Sequence, residues 1–201
     1  MIDTIISDMG QVVLHFDNRL FFRKMTRYTS RSEEEIRAIT HANIELVDLF
    51  DKGKITPEEF YQKAKTGLEA EVSYGDFFAA YCDVFAVNPP ILGLLKKLKP
   101  KYKLILLSNT DVVRFSHIKR KFPELMIFDG YVLSFDYGRM KPDPEVYQAA
   151  LELARSKPEK AVFIDDLREN VEGAERIGIE GLHFTPETDL ERALRDLGVE
   201  P

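Results

Sequence analysis

Hydrophobic residues at the start of the chain form a short β-branched run, Ile2, Ile5 and Ile6, which predicts a buried strand. The run stops at Asp8, with Gly10 just beyond, and Val12-Val13-Leu14-His15-Phe16-Asp17 reads as a connector leading away. From Asn18 to about Val87 the apolar spacing turns helical and predicts no strand. Leu20, Phe21, Met25 and Tyr28 suit one helix face, and Ile44, Leu46, Val47, Leu49 and Phe50 make another stripe. Ser32 followed by Glu33, Glu34 and Glu35, and Thr56 followed by Pro57, are start signals: a capping oxygen, then acid or proline in the first turn. Ser73 to Ala86 carries a dense aromatic face. Four or five short helices in series predict a small bundle.

The pattern changes again at Asn88. Pro89-Pro90 opens a helix through Leu98, and Lys103-Leu104-Ile105-Leu106-Leu107 predicts a buried strand that ends at Ser108-Asn109-Thr110. A helix from about Asp111 to Lys121 follows, then a strand over Gly130-Tyr131-Val132-Leu133-Ser134 leading into Tyr137-Gly138-Arg139-Met140-Lys141-Pro142. Asp143-Pro144 starts a helix through about Arg155, and Ala161-Val162-Phe163-Ile164 is a strand ending in Asp165-Asp166. A helix over residues 170–177 and a last strand near Gly181-Leu182-His183-Phe184 complete the alternation. Strand–helix units in series imply an α/β fold, a Rossmann-like doubly wound parallel sheet with helices on both faces. Residues 1–16 and 88–201 then form the core, and residues 17–87 an inserted α-helical cap over the sheet's carboxyl edge.

Composition narrows the function. At 201 residues the chain can bury a sizeable core, and 44% hydrophobic with 31% charged residues is globular. A formal net charge of −6 supplies no general basic surface, which argues against nucleic-acid binding. No apolar run approaches the roughly 18 residues of a membrane span. The amino end reads as a strand rather than a basic-then-apolar signal segment. One cysteine, Cys82, excludes an internal disulfide and sits among Phe77, Phe78, Tyr81 and Phe85 as a packing residue. The expectation is a cytoplasmic protein, monomer or homodimer, with a small-molecule partner.

Polar residues stand where four apolar strands stop: Asp8, Ser108-Asn109, Lys141 and Asp165-Asp166. A doubly wound sheet brings such ends together in one crevice. Each also has an ordinary reading. Asp-x-Gly is a turn, Ser108-Asn109-Thr110 can be a helix N-cap, Lys141-Pro142-Asp143-Pro144 a surface turn, and Asp165-Asp166 a cap for the next helix. Two adjacent aspartates behind Val-Phe-Ile, however, place charge near the core, which is costly without a cation. Hard oxygen ligands in that number suit Mg²⁺, which shares its ligands readily with a phosphate. Ser108, the backbone after it and Lys141 suit phosphate oxygens. A carboxylate can then attack phosphorus through an aspartyl-phosphate intermediate.

Those four segments resemble the four motifs of the haloacid dehalogenase-like hydrolase superfamily, over essentially the whole chain. Phe163-Ile164-Asp165-Asp166 through Asn170-Val171-Glu172-Gly173-Ala174 is the most specific stretch. With Asp8-Met9-Gly10, Leu107-Ser108-Asn109-Thr110 and Gly138-Arg139-Met140-Lys141-Pro142, it is most similar to the bacterial alpha-D-glucose-1-phosphate phosphatase branch, phosphatases with an α-helical cap. The resemblance implies Asp8 as nucleophile and Mg²⁺ ligand, the Gly10 carbonyl as a second ligand and Asp166 as a third. It implies that Asp165 acts through a metal-bound water or by pairing with Lys141. Ser108 and the Asn109 backbone would hold the transferring phosphoryl group, and Lys141 would neutralise charge between it and Asp8.

One position departs from the superfamily pattern. Most of its phosphatases carry a second aspartate two residues after the nucleophile as general acid and base, and this chain has Gly10 there. Losing a proton donor costs on the order of 10²–10⁴-fold in rate. His15 and Asp17 are the candidates to replace it, with packing and helix capping as their structural alternatives. Arg19, Arg23 and Tyr61 either face the crevice and choose the substrate or line a solvated helix face. The expected activity is Mg²⁺-dependent hydrolysis of a small phosphorylated metabolite, with sugar phosphates the class the resemblance brings. A metal-independent haloacid dehalogenase and a catalytically weakened binding protein of the same fold are the competing readings.

Overall fold

A computed structural model describes residues 1–201. Five strands form one parallel sheet: β1 (Thr4–Ser7), β4 (Lys103–Ser108), β5 (Gly130–Leu133), β6 (Ala161–Asp165) and β7 (Glu180–His183). Their order is β5-β4-β1-β6-β7, so the first strand is central, with β4 on one side and β6 on the other. Side chains alternate strictly between the two faces, as the pleat requires. Ile5, Leu104, Leu106, Val162 and Ile164 join one buried cluster with Leu95 and Leu98 of α6 (Pro89–Leu98), Ile118 of α7 (Val112–Lys121) and Leu194 of α11 (Leu190–Asp196). Ile6, Ile105, Leu107, Val132 and Phe163 join the other with Tyr147 and Ala150 of α9 (Pro144–Ala154) and Ala174 of α10 (Arg168–Glu175). Both faces are covered, which is why these strands are continuous apolar runs. The doubly wound α/β architecture is the one the alternation predicts.

Two short strands differ from expectation. β2 (Leu14–Phe16), inside the predicted connector, pairs antiparallel with β3 (Phe85–Val87), where helix was expected. Three residues each are too few to show a period of two. The chain leaves and re-enters the core through this ribbon, also tied by Asp17 N–H donating to the Val84 carbonyl at 3.0 Å. A further helix, α8 (Ser134–Tyr137), follows β5 directly, and α11 follows β7; neither is predicted from the spacing.

Between the ribbon strands lie α1 (Arg19–Met25), α2 (Glu33–Ala42), α3 (Ile44–Asp51), α4 (Pro57–Gly67) and α5 (Tyr74–Cys82). Ser32 with Glu35 and Thr56 with Glu59 form reciprocal capping boxes, the chemistry their spacing announces. The five helices share a hydrophobic cluster separate from the sheet's, including Phe21, Phe50, Phe60, Phe77 and Tyr81. Phe50 and Phe60 stack at 4.3 Å between centroids. Cys82 is buried there, and burial pushes its thiol up to about 11, as a packing residue requires. The bundle docks on the carboxyl side of the sheet: the Tyr81 hydroxyl donates to Asp111 at 2.9 Å, and the Ser134 hydroxyl reaches the Asp51 carbonyl at 2.6 Å. No helix is long and apolar enough to cross a membrane.

Candidate active site

The parallel ladder delivers the polar strand ends to one place. Asp8 is held just past β1 by its own N–H, which donates to the Ile164 carbonyl at 2.9 Å. Ser108 ends β4, Asp165 ends β6, and both are buried. Lys141 arrives on the loop after α8 and is 4% exposed. Its ammonium donates to Asp8 Oδ1 at 2.7 Å, Asp165 Oδ2 at 2.7 Å and the Leu107 carbonyl at 3.0 Å. An ammonium has three donors, and all three are used. Toward a phosphoryl group Lys141 therefore offers charge rather than a free hydrogen bond.

Asp165 is fully engaged: Oδ2 accepts from Lys141, and Oδ1 accepts from Leu167 N–H at 2.8 Å and Asn170 Nδ2 at 3.0 Å. Of the two roles left open for it, pairing with Lys141 is the one the geometry displays. Asn170 in turn has its carbonyl bonded by the Tyr147 hydroxyl at 2.7 Å, with Gly173 packed against that same ring. Asn109 contributes its side chain: Oδ1 accepts from Lys141 N–H at 2.8 Å, and Nδ2 donates to the Lys141 carbonyl at 3.1 Å. This clamp fixes the lysine's backbone across 32 residues of sequence, a role that the expectation for the Asn109 backbone did not include. The cap of α7 is Asp111, accepting from Val113 and Arg114 N–H. Ser108-Asn109-Thr110 is therefore not the helix cap, which removes its ordinary reading.

Electrostatically the site is under-neutralised. One ligand oxygen each from Asp8, Asp165 and Asp166 lies within 4.8 Å of the others. Three carboxylates face one ammonium. Burial pushes Asp8 up to about 7, with Lys141 pulling down and Asp165 pushing further up. Burial, then Asp165, also raises Asp166. For Lys141, burial opposes the charged form, yet Asp8 and Asp165 outweigh it and its pKa is raised. A cluster of hard oxygens short of positive charge fits a divalent cation such as Mg²⁺. His183 Nε2 lies 2.9 Å from the Asp166 carbonyl and holds that residue's backbone.

Asp8 Oδ1 is taken by Lys141, and Oδ2 lies 3.8 Å from where a β-carbon on Gly10 would be. That β-carbon would also meet the Phe16 ring at 3.0 Å, so a larger residue at position 10 requires the ring to move. His15, exposed on β2, makes no hydrogen bond to the cluster. Asp17 is half-buried and bound bidentately by Arg19, and those hydrogen bonds lower its pKa, which makes it a poor proton donor. Arg19 is thus committed to Asp17 and Arg23 faces Glu33, both at the surface. Tyr61 is buried in the bundle with its hydroxyl on the Val72 carbonyl, so it does not face the crevice. Asn170, the Asn109 side chain and His183 are absent from the sequence-based set; Asn170 lay inside the most specific stretch, while the other two needed the fold.

A family model described as a haloacid dehalogenase-like hydrolase matches residues 2–178. Sesquiterpene phosphatase astK of Aspergillus oryzae is 28% identical over 162 residues, covering 79% of this chain and 82% of that one. D-ribitol-5-phosphate phosphatase of Bacteroides thetaiotaomicron is 22% identical over 196 residues, 93% of each chain. Among solved structures, the HAD family enzyme bt-2542 of Bacteroides thetaiotaomicron superposes with a TM-score of 0.86 at 27% identity, over 96% of this chain and 98% of that one. Its wild-type complex with magnesium and inorganic phosphate superposes with a TM-score of 0.81 at 26% identity, over 97% and 100%.

Proposed function

The chain belongs to the haloacid dehalogenase-like hydrolase family, and from that premise we propose how this phosphoric monoester hydrolase works: Asp8 attacks the phosphorus of a small phosphorylated metabolite, with Mg²⁺ required. The observation that carries the reading is Lys141 bridging Asp8 and Asp165 at 2.7 Å each, with Asp166 in the same cluster. Asp8 Oδ2, the oxygen Lys141 leaves free, forms the bond to phosphorus as the ester P–O bond breaks. Water then cleaves the aspartyl-phosphate and regenerates the carboxylate. Asp8, Asp166 and the Gly10 carbonyl would hold Mg²⁺, with Asp165 positioning Lys141; the bound ion supplies charge stabilisation for the dispersed transition state. Ser108 binds the transferring group, Lys141 balances its charge, and the Asn109 clamp keeps Lys141 in place. The five-helix segment, residues 17–87, acts as a cap that selects the organic group.

With glycine at position 10 and Asp17 held by Arg19, the leaving oxygen has no carboxylic acid beside it. This favours esters whose leaving group departs as a weak base, sugar 1-phosphates among them. It is also what supports the glucose-1-phosphate branch within the family. The names of relatives range over a polyol phosphate, phosphorylated carbohydrates and a sesquiterpene, so the organic group turns on this chain's own helices.

The experiment is 4-nitrophenyl phosphate turnover with Mg²⁺, with EDTA and in Asp8→Asn. The expected result is turnover abolished by chelation, restored by Mg²⁺ and absent in the variant, with an acid-stable phosphoryl adduct trapped on Asp8 in the wild type. Halide release from 2-chloropropionate without metal would instead make the chain a dehalogenase. No reaction in either assay would leave a binding protein.

A further inference from the structure

Gly10 and the ring of Phe16 compete for one piece of space beside the nucleophile. A β-carbon on Gly10 would lie 3.0 Å from Phe16 Cε1, 3.5 Å from Cδ1 and 3.8 Å from Asp8 Oδ2. Oδ2 is the carboxylate oxygen that Lys141 leaves free. A side chain at position 10 therefore starts in contact with the attacking atom and meets the edge of the ring at once. Carbon atoms in contact settle at about 3.5–4.0 Å, so even a methyl group there requires the ring to withdraw.

Several contacts hold the ring where it is. Phe16 ends β2 and pairs with Phe85 on β3, and the two rings meet edge-on with centroids 6.3 Å apart. The Phe16 carbonyl accepts from Gln11 Nε2 at 3.0 Å. Gln11 itself sits in the left-handed region, at φ 54°, which residues with a β-carbon seldom enter. The half-buried ring also packs against the apolar cluster of the helical bundle. Its Cδ1–Cε1 edge faces Gly10, and ring edges carry the positive end of the aromatic quadrupole, so a carboxylate close by suits this orientation. A carboxyl group at position 10 would stand beside those of Asp8, Asp165 and Asp166, and like charges that close keep one of them protonated. Such a group would be a proton donor next to the phosphoryl group, and the ring occupies its place.

Resting on the phosphatase reading, we propose that Phe16 is a specificity-determining residue for the leaving group: its ring keeps a proton donor out of position 10 and so selects esters whose leaving oxygen departs as a weakly basic anion. The bond from Asp8 Oδ2 to phosphorus forms as the ester P–O bond breaks. The electron pair of that bond stays on the leaving oxygen, which takes its proton from water after departure. Aryl and anomeric phosphates are then good substrates and simple alkyl phosphates poor ones.

The test compares four full-length proteins with Mg²⁺: wild type, Gly10→Asp, Phe16→Ala and the double variant. Each is assayed on 4-nitrophenyl, phenyl and ethyl phosphate, whose leaving groups are increasingly basic. The readout is kcat/KM for the ethyl or phenyl ester divided by that for the 4-nitrophenyl ester. Loss of folded protein or of metal scales all three esters alike and leaves these ratios unmoved. A positioned acid contributes about 10²–10⁴-fold where the leaving group needs it, so the double variant raises the ethyl ratio roughly tenfold or more, and each single variant leaves it within about twofold of wild type. Gly10→Asn with Phe16→Ala, which has the shape without the acidic proton, keeps the wild-type ratio. Gly10→Asp alone matching the double variant overturns the proposal, because the ring then yields. A double variant with an unchanged ratio, or an asparagine pair that raises it equally, overturns it too. Wild-type turnover of 4-nitrophenyl phosphate leaves the phosphatase reading intact in each of those cases, whereas no turnover by any of the proteins overturns both. If Phe16→Ala does not fold, Phe16→Leu takes its place in the cycle, keeping an apolar side chain on β2 without the ring edge.

Discussion

Lys141→Met isolates what the central ammonium does. Methionine keeps an unbranched apolar stem beside the Phe163 ring, 5.5 Å from Nζ, and removes only the charge and its donors. Asp8 and Asp165 are then left buried against each other without their shared partner, and the Leu107 carbonyl loses its donor. Breaking a buried pair by deleting one member costs about 3–5 kcal/mol. Proton uptake limits the loss here, because Asp8 already titrates at about 7 and rises further once the lysine is gone. The lower end, about 3 kcal/mol at pH 8, is therefore expected, or roughly 6–12 °C in Tm for a chain of this length. The pH dependence has a definite sign. Carboxylates raised in the folded state bind protons that the unfolded state releases, so the variant regains stability as pH falls toward 4 and its gap to the wild type narrows. Thermal melts of both proteins in EDTA at pH 5, 6.5 and 8 measure this. A variant melting within 2 °C of the wild type at pH 8, or a gap that widens toward pH 5, refutes the reasoning.

Three other expectations follow from the same geometry. Asp166→Asn removes a carboxylate that is not paired with Lys141 and so acts on cation binding: wild type gains about 2.7 kcal/mol at Mg²⁺ a hundredfold above Kd, the variant loses most of that gain, and an unchanged Mg²⁺ affinity by calorimetry contradicts it. Asp51 has an unpartnered, buried Oδ1, and burial first and Asp111 second push its carboxyl up to about 7. Its folded form holds a proton that the unfolded chain gives up near pH 4, so the wild type loses at most about 4 kcal/mol as pH rises through that window. Asp51→Asn should melt above the wild type at pH 8 and level with it at pH 4.5; the reverse order argues against a buried acid. Gly173→Ala puts a β-carbon 2.7 Å from the Tyr147 hydroxyl and 2.8 Å from Pro142. It should cost about 1–3 kcal/mol by overpacking, and a denaturant midpoint equal to wild type would show that the contact yields freely.

The parts of the molecule that a sequence can announce are those in which local spacing and burial agree. Ile5 and Ile6 or Val162 and Phe163 must be apolar in succession because both faces of their strands are covered. Ser32 and Thr56 each have a glutamate three residues on, Glu35 and Glu59, and that spacing singles them out as caps. Before α7 several residues can cap, and only the loop geometry selects Asp111 over Ser108, Asn109 or Thr110. Asp8, Ser108 and Asp165-Asp166 are legible because apolar runs stop there, whereas Lys141, expected at a strand end, stands eight residues past β5 because α8 intervenes. The Asn109–Lys141 clamp and the Asp165–Asn170 bond are not, since asparagine in a loop carries no period.

The ribbon of β2 and β3 constrains how the helices relate to the sheet. Joined by two independent strings, the bundle could twist on either one. Laced together at Leu14–Val87, His15–Ala86 and Phe16–Phe85, the strings form a flat strap that resists torsion and flexes most readily across its width. The same strap seats the ring of Phe16 against Gly10, two residues past the carboxylate at the end of the central strand, so the element that carries the helices also touches the nucleophile's own loop.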